Sequence, residues 1–264
     1  SVLTVFNTRK LARSFYKHIE KECWDKVYSL TNDMYPKHRL EVINRIKQDL
    51  TDNRRIIVSS TQLIEAGVDI DFNELFRQLA PLDAIIQSAG RCNREGKRAG
   101  GNVWIFVPEG ENIYPGRTYR AQAVHTRDLL KYNLGDIFST AFFERYYSEV
   151  VYLYTKKEDI TQLRKDGSFD TVDSNYRLIN ETSTAVFIIK DAEKLYDRVK
   201  DKKFLSRKDF QDLQLYSVHL FDYAIYKNDH NIERLKNGLL VWHGKYSDEL
   251  GIDAGEEHLE ALIF

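Results

Sequence analysis

Residues 54–107 read RRIIVSSTQLIEAGVDIDFNELFRQLAPLDAIIQSAGRCNREGKRAGGNVWIFV, and the succession of patterns in them decides the fold. Arg54 to Ser60 is apolar at its centre and reads as a strand. Glu74 to Leu79 is a further strand, and Asn102 to Val107 another. Between these two, Asp83 to Arg94 reads as one helix. Gln87, Arg91 and Arg94 recur there at i, i+4 and i+7 and so share a face, with Ile85 and Ala89 opposite them for a core. Gly90 inside that helix costs about 1 kcal/mol relative to alanine, which fits a close approach to its backbone. Two arginines and a glutamine on one face offer fixed, bidentate donors to phosphate oxygens. The plain alternative is a surface helix with solvated arginines.

Working outward, Ser1 to Phe6 is a short buried strand, and Thr8 can cap a helix on which Leu11, Phe15 and Ile19 recur. Lys26 to Leu30 is the next strand. Pro36 then opens a helix carrying Leu40, Ile43, Ile46 and Leu50 on one side. Strands alternating with amphipathic helices imply βαβ units and a mostly parallel sheet covered on both faces. The working loops of such a sheet lie at the carboxyl ends of its strands, where TQLIEAGVD falls.

Beyond Glu109 the character changes. Thr118 to Tyr132 looks helical, and Asp136 to Tyr154 is a second helix whose stripe of Phe138, Phe142, Phe143, Tyr146 and Tyr147 reads as core. Asp166 to Asp173 is turn-like, and Tyr176 to Ile179 and Ala185 to Ile189 look like paired strands. Ala192 to Val199 is a helix, Gln214 to Tyr226 is partly extended, and Leu239 to Trp242 is a last strand. After Lys245 the tail has six acidic residues and no Lys or Arg, and reads as a solvated end. The expected division is 1–110, a helical stretch 111–165, and a smaller α+β region 166–264.

With 264 residues, 39 Lys and Arg against 40 Asp and Glu, and a net charge of −1, no global field draws the chain to nucleic acid. Any such binding must come from a local patch. Cys23 and Cys92 are far apart and form no CxxC, which argues against a zinc site and a disulfide framework and fits a reducing cytoplasm. No apolar run reaches the ~18 residues of a membrane span. The chain opens on a strand-like run without Met, so the expectation is a piece of a longer polypeptide.

Three stretches together carry a resemblance. Ser59 to Asp71 is similar to motif V of superfamily 2 helicases. Gln87-x-x-Gly90-Arg91-x-x-Arg94 resembles motif VI, and Phe6-Asn7-Thr8 after the first strand looks like motif IV. The density of the match over 1–107 resembles one family, the CRISPR-associated helicase-nuclease of type I interference, with FDTVDSNYRLINETSTAVFII, FQDLQLYSVHL and the stretch Tyr246 to Gly251 continuing it more thinly. The resemblance implies an α/β fold: a second RecA-like domain with a parallel sheet flanked by helices, then a C-terminal accessory domain. It implies that Arg94 and Arg91 reach the γ-phosphate of ATP held by a preceding domain, and that Gln87 bridges nucleotide and arginines. Gly67 and Asp69 would face the nucleotide, Asp69 toward the ribose. Asn7, Thr8 and Thr61 would hold the backbone of single-stranded DNA without reading bases; for Thr8 a plain helix cap remains the alternative.

No G-x-x-x-x-G-K-[ST] loop occurs, none of the seven histidines precedes an Asp, and the only Asp-Glu pair is Asp248-Glu249 in the tail. The phosphate loop, the Mg2+ ligands and the nuclease dyad are therefore expected elsewhere. The implied partners are the first RecA-like and nuclease domains and a CRISPR RNA-guided surveillance complex. Two alternatives stand: half of another superfamily 2 enzyme of repair or restriction, or a non-catalytic docking module.

Overall fold

Val2–Val5 forms β1, the centre of a parallel sheet, with Leu3 and Val5 wholly buried. The computed structural model describes residues 1–65, 68–96, 98–110, 113–131, 137, 139–154, 160–171 and 183–255, the side chains of 152–154, 160 and 161 excepted. β2 is Lys26–Leu30, β3 Ile56–Ser60, β4 Glu74–Gln78 and β5 Asn102–Phe106. Their order is β2-β3-β1-β4-β5, and Leu3 stands opposite both Val58 and Leu75. The long β3-to-β4 connection crosses over β1, so the loops after β1, β3 and β4 gather at one sheet edge. That edge is where open parallel sheets place ligands.

α1 (Arg9–His18) starts as expected, with the Thr8 hydroxyl accepting the Leu11 amide at 3.3 Å. α2 (Pro36–Thr51) has Pro at its first turn, but its buried face differs from the expected one. His38, Val42, Ile46 and Asp49 are buried, Ile43 and Leu50 pack at the margin, and Leu40 is 58% exposed. Polar residues can sit on that face because they are partnered. Tyr28 donates to Asp49 at 2.5 Å, and His38 Nδ1 lies 2.7 Å from the Tyr246 hydroxyl. β5 is an edge strand with Trp104 and Ile105 exposed.

α3 (Leu82–Ala89) is shorter than the expected helix and ends at Gly90. The backbone there stays in the right-handed region, and a Cβ on Gly90 would meet nothing closer than its own helix carbonyl at 3.4 Å. Gly90 is thus the helix end, not a point of close approach. Arg91 and Arg94 lie beyond it and do not continue a face with Gln87.

α4 (Arg117–Lys131) packs Tyr119 and Ala123 against Leu79, Ala84 and Ile85. α5 (Thr140–Tyr154) buries Phe142 and Tyr146 beside Leu82, while Tyr147 is 46% exposed. Phe138 lies outside the described residues. A helix at Ile160–Lys165 precedes the turn expected over 166–173.

The C-terminal part holds a four-stranded mixed sheet, β7-β6-β9-β8, built from β6 (Ser183–Ile188), β7 (Ser217–Phe221), β8 (Ile232–Arg234) and β9 (Leu240–Trp242). Two helices, Arg207–Gln214 and Asp222–Lys227, flank β7 where a partly extended run was expected. Tyr176 to Ile179 lies outside the described residues. The fold is α/β: a parallel five-stranded sheet with helices, followed by smaller mixed sheets. No helix among the described residues is long and apolar enough to cross a membrane.

The tail is not a solvated end over 246–254. Tyr246–Ser247 and Gly251–Ile252 pair as β10 and β11 and dock on the loop after β2. The Ile252 amide donates to the Asp33 carbonyl at 2.8 Å, and Arg13 donates to the carbonyls of Leu250 and Ile252. The acidic side chains read as solvated in the sequence, but Asp248, Glu249 and Asp253 pair with Lys190, Lys21 and Arg13, beside the backbone contacts and Tyr246. Residues 256–264 lie outside the described residues.

Candidate nucleotide and nucleic-acid site

The chain leaving α3 is pinned to the chain leaving the β3 loop. The Phe72 amide donates to the Arg91 carbonyl at 2.9 Å and the Asn93 amide to the Phe72 carbonyl at 3.2 Å, a short parallel bridge. Asn93 then turns the chain in the left-handed region (φ 54°), and its amide group and the Arg98 backbone bond reciprocally at 3.0 and 3.1 Å. Asparagine tolerates that conformation better than most residues.

This bridge brings Arg94 and Asp69 together. The Arg94 Nε lies 3.2 Å from an Asp69 carboxylate oxygen, with the two side chains 41% and 78% exposed. The Arg94 amide also donates to Asp71 Oδ1 at 2.8 Å. Arg94 is thus oriented at one nitrogen and open to solvent at the rest of its fork, which suits an incoming phosphate oxygen. Arg91 is placed otherwise: its Nε donates to the Ile64 carbonyl at 3.0 Å and its Nη2 to the Glu65 carbonyl at 2.5 Å. Its charge serves the loop backbone. Gln87 is exposed on α3, one turn before Arg91. Gly67 lies outside the described residues.

The residues assigned to single-stranded DNA divide similarly. Asn7 is wholly buried. Its Oδ1 accepts from Arg77 at 2.7 Å and from Tyr119 at 2.9 Å, and its Nδ2 donates to the Leu79 carbonyl at 2.9 Å. A side chain so enclosed holds neighbouring elements together and has no exposed atom for a DNA backbone. Thr8 caps α1 and Thr61 is 3% exposed at the start of a 3-10 turn. Of the three, Thr8 is the most accessible.

Sequence reasoning missed the buried network under this edge. Arg77 is wholly buried and pairs with Glu65 at 3.1 Å. It also donates to Asn7, to the Gln78 carbonyl at 2.9 Å and to the Tyr119 hydroxyl at 3.1 Å. Ser88 of α3 donates to Glu65 at 2.8 Å. Burial pushes the Glu65 carboxyl up, against the opposing pull of the Arg77 guanidinium and the Ser88 hydroxyl. The available signal was an arginine in the middle of the apolar strand ELFRQL, which needs a buried acceptor. Arg98 is another omission: it spans Asp71, Asn73 and the Phe72 carbonyl.

A cavity of about 350 Å³ opens beside α1, lined by Arg9, Lys10, Arg13, Lys17 and Lys227, with Asp33 and Asp253 opposing. Cations outnumber carboxylates there on a chain of net charge −1.

Residues 1–97 match the family model for the C-terminal part of the CRISPR-associated nuclease/helicase Cas3. The chain is similar to the C-terminal region of Cas3. The CRISPR-associated nuclease/helicase Cas3 of Haloferax volcanii is 37% identical over 107 residues, 38% of this chain and 11% of that relative. A crystal structure of T. fusca Cas3-AMPPNP superposes over 95% of this chain and 38% of its own, with a TM-score of 0.64 at 14% identity. A chain of a CRISPR RNA-guided surveillance complex, pre-nicking, superposes over 91% of this chain and 37% of its own, with a TM-score of 0.55 at 15% identity. The chain therefore spans about a tenth of the Haloferax Cas3, and the Cas3-like likeness of fold reaches well past the 97 residues of the sequence match.

Proposed function

We propose that this chain is the C-terminal helicase portion of a Cas3-like, ATP-dependent single-stranded DNA translocase and nuclease acting in type I CRISPR interference. It supplies an arginine finger and half of the nucleotide and DNA sites. On this reading 1–110 is the second RecA-like domain, 111–165 a helical linker and 166–264 an accessory domain. ATP and Mg2+ are cofactors of the complete enzyme, in which the metal neutralises charge on the phosphates. The metal's ligands lie outside this chain. The partners are single-stranded DNA, the first RecA-like and nuclease domains, and the surveillance complex.

The observation that carries the reading is the half-exposed Arg94 guanidinium oriented by Asp69 at the carboxyl edge of a parallel sheet. On this reading Arg94 is the finger, Asp69 orients it and would serve a ribose hydroxyl, Gln87 bridges nucleotide and arginines, and Gly67 keeps only the nucleotide-facing role that its motif implies. Arg91 acts indirectly, by fixing the loop at Ile64 and Glu65. Thr8 and Thr61 lie on the side of the DNA backbone, with Asn7 behind them as a buried strut. The basic cavity beside α1 supports a phosphate-backbone ligand, because it supplies locally the charge that the chain lacks globally.

An arginine finger contributes about 10³–10⁵ in rate, roughly 4–7 kcal/mol of barrier. Arg94→Ala in the complete enzyme is therefore expected to lower DNA-stimulated ATP turnover by about 10³-fold or more while single-strand affinity stays within about twofold. Turnover within about tenfold of the parent enzyme rejects the assignment. The isolated chain, without a phosphate loop, is expected to hydrolyse ATP at background, and DNA-stimulated hydrolysis by it overturns the composite-site reading.

A further inference from the structure

Two loops and a helix meet over the wholly buried Arg77, and the loops belong to different halves of the candidate site. Asn7 closes the β1–α1 corner, on the side assigned to the DNA backbone. Glu65 belongs to the loop that continues to Asp69 and so to Arg94. Tyr119 belongs to α4, outside the 97 residues of the family match. The Tyr119 ring is 2% exposed, and its hydroxyl donates to Asn7 Oδ1 at 2.9 Å while accepting from Arg77 at 3.1 Å and Gln62 at 3.5 Å. Gln62 in turn donates to the Asn7 carbonyl at 3.2 Å. The Asn7 amide donates to Gln78 at 2.8 Å, and Gln78 donates to the Ile113 carbonyl at 2.7 Å, just ahead of α4. A displacement of the β1–α1 corner therefore pulls on Arg77 and Tyr119 directly, and through them on Glu65.

We propose that Arg77 and Tyr119 are positioning residues that couple the DNA-side corner at Asn7 to the nucleotide-side loop of Glu65 and Asp69, with α4 as the fixed support. The physical reason is the low tolerance of a buried charge for losing partners. Any movement that separates Arg77 from Glu65 leaves an unpaired charge away from water, and one that separates it from Asn7 strands a buried donor. The network therefore moves as one body. A packing role alone asks only that the volume be filled, whereas coupling asks for the Tyr119 hydroxyl itself.

This inference rests on the helicase reading above, and the test separates the two. In the complete enzyme, Tyr119→Phe keeps the ring and removes the hydroxyl, so folding is preserved. The expected result is a fall of about three- to tenfold in the ratio of DNA-stimulated to basal ATP turnover, the size of one buried hydrogen bond. The loss appears in kcat more than in the ATP KM, with the thermal midpoint shifted by no more than a few degrees. Arg77→Lys should lower the ratio as well. The double variant should lose less than the product of the two single losses, since both act through one network. If Arg77→Lys fails to fold by circular dichroism, Tyr119→Phe alone decides the matter. An unchanged stimulation ratio in folded Tyr119→Phe overturns the positioning role while Arg94→Ala remains inactive. Full turnover in Arg94→Ala overturns the helicase reading instead.

Discussion

Arg91 and Arg94 lie three positions apart and end in different environments. On a continuous helix they would share a face with Gln87, but the helix stops at Gly90 and the chain turns through Asn93. Arg91 then lies across the Ile64 and Glu65 carbonyls, and Arg94 reaches outward beside Asp69. The spacing made both legible as phosphate ligands. Only the local backbone decided that one of them holds the loop. Asp209 makes the same point in the C-terminal part. It forms a capping box with Ser206 and accepts from Lys202 at 2.7 Å while almost wholly buried. The Lys202 ammonium and the Ser206 hydroxyl and amide hold its carboxyl well below the usual range. A depressed carboxylate stabilises the fold fully above its unfolded value near ~4 and loses that effect as pH falls further. Asp209→Asn should thus lower the melting temperature by a constant amount from about pH 7 to about pH 5. The gap should narrow below about pH 4. A gap unchanged down to about pH 2.5 would show that the charge is not what the site uses.

At the scale of elements, α2 shows how a correct helix can carry a wrong face. Its opening at Pro36 follows from sequence. Leu40 points to solvent, and His38 and Asp49 turn inward to Tyr246 and Tyr28. Periodicity counts apolar residues and cannot foresee a buried carboxylate whose partner sits on another element. Leu40→Ser should therefore change unfolding free energy by no more than about 0.5 kcal/mol. Ile46→Ala, at a wholly buried position, should cost about 2–5 kcal/mol. Urea denaturation of both variants measures the contrast, and a comparable loss from Leu40→Ser would refute the observed face. The strands fared better, because β1 and β3 carry apolar runs, VLTV and IIV, and leave little choice of register inside a sheet covered on both sides.

The whole molecule is closed by its own tail. Gly251 adopts φ +76°, and a Cβ there would fall 2.2 Å from the Asp33 carbonyl oxygen. Asp33 also receives Arg9 at 2.9 Å and Arg13 at 3.4 Å, so the loop after β2 is the point where the C-terminal strands and α1 meet. Gly251→Ala is expected to lift the 246–254 segment off this loop. The positive φ alone disfavours alanine by about 1–2 kcal/mol, and the clash adds to it. Hydrogen exchange at the Ile252 amide should rise by roughly tenfold or more, in keeping with that range. Unchanged protection at Ile252 would mean that the docking does not depend on the glycine.

What the sequence determined by itself was the local grammar: alternating strands and helices, the Thr8 cap, the Pro36 start, and the motif residues at the carboxyl edge of the sheet. Each is set by neighbours within a few positions. The tertiary structure alone decided the end of α3, the inward face of α2, the burial of Asn7, the Arg77–Glu65–Tyr119 network and the docking of the tail. Each of these depends on a polar group finding its partner on a distant element. Burying a polar group is unfavourable until that partner arrives, and spacing along one chain carries no record of which distant atom it will be.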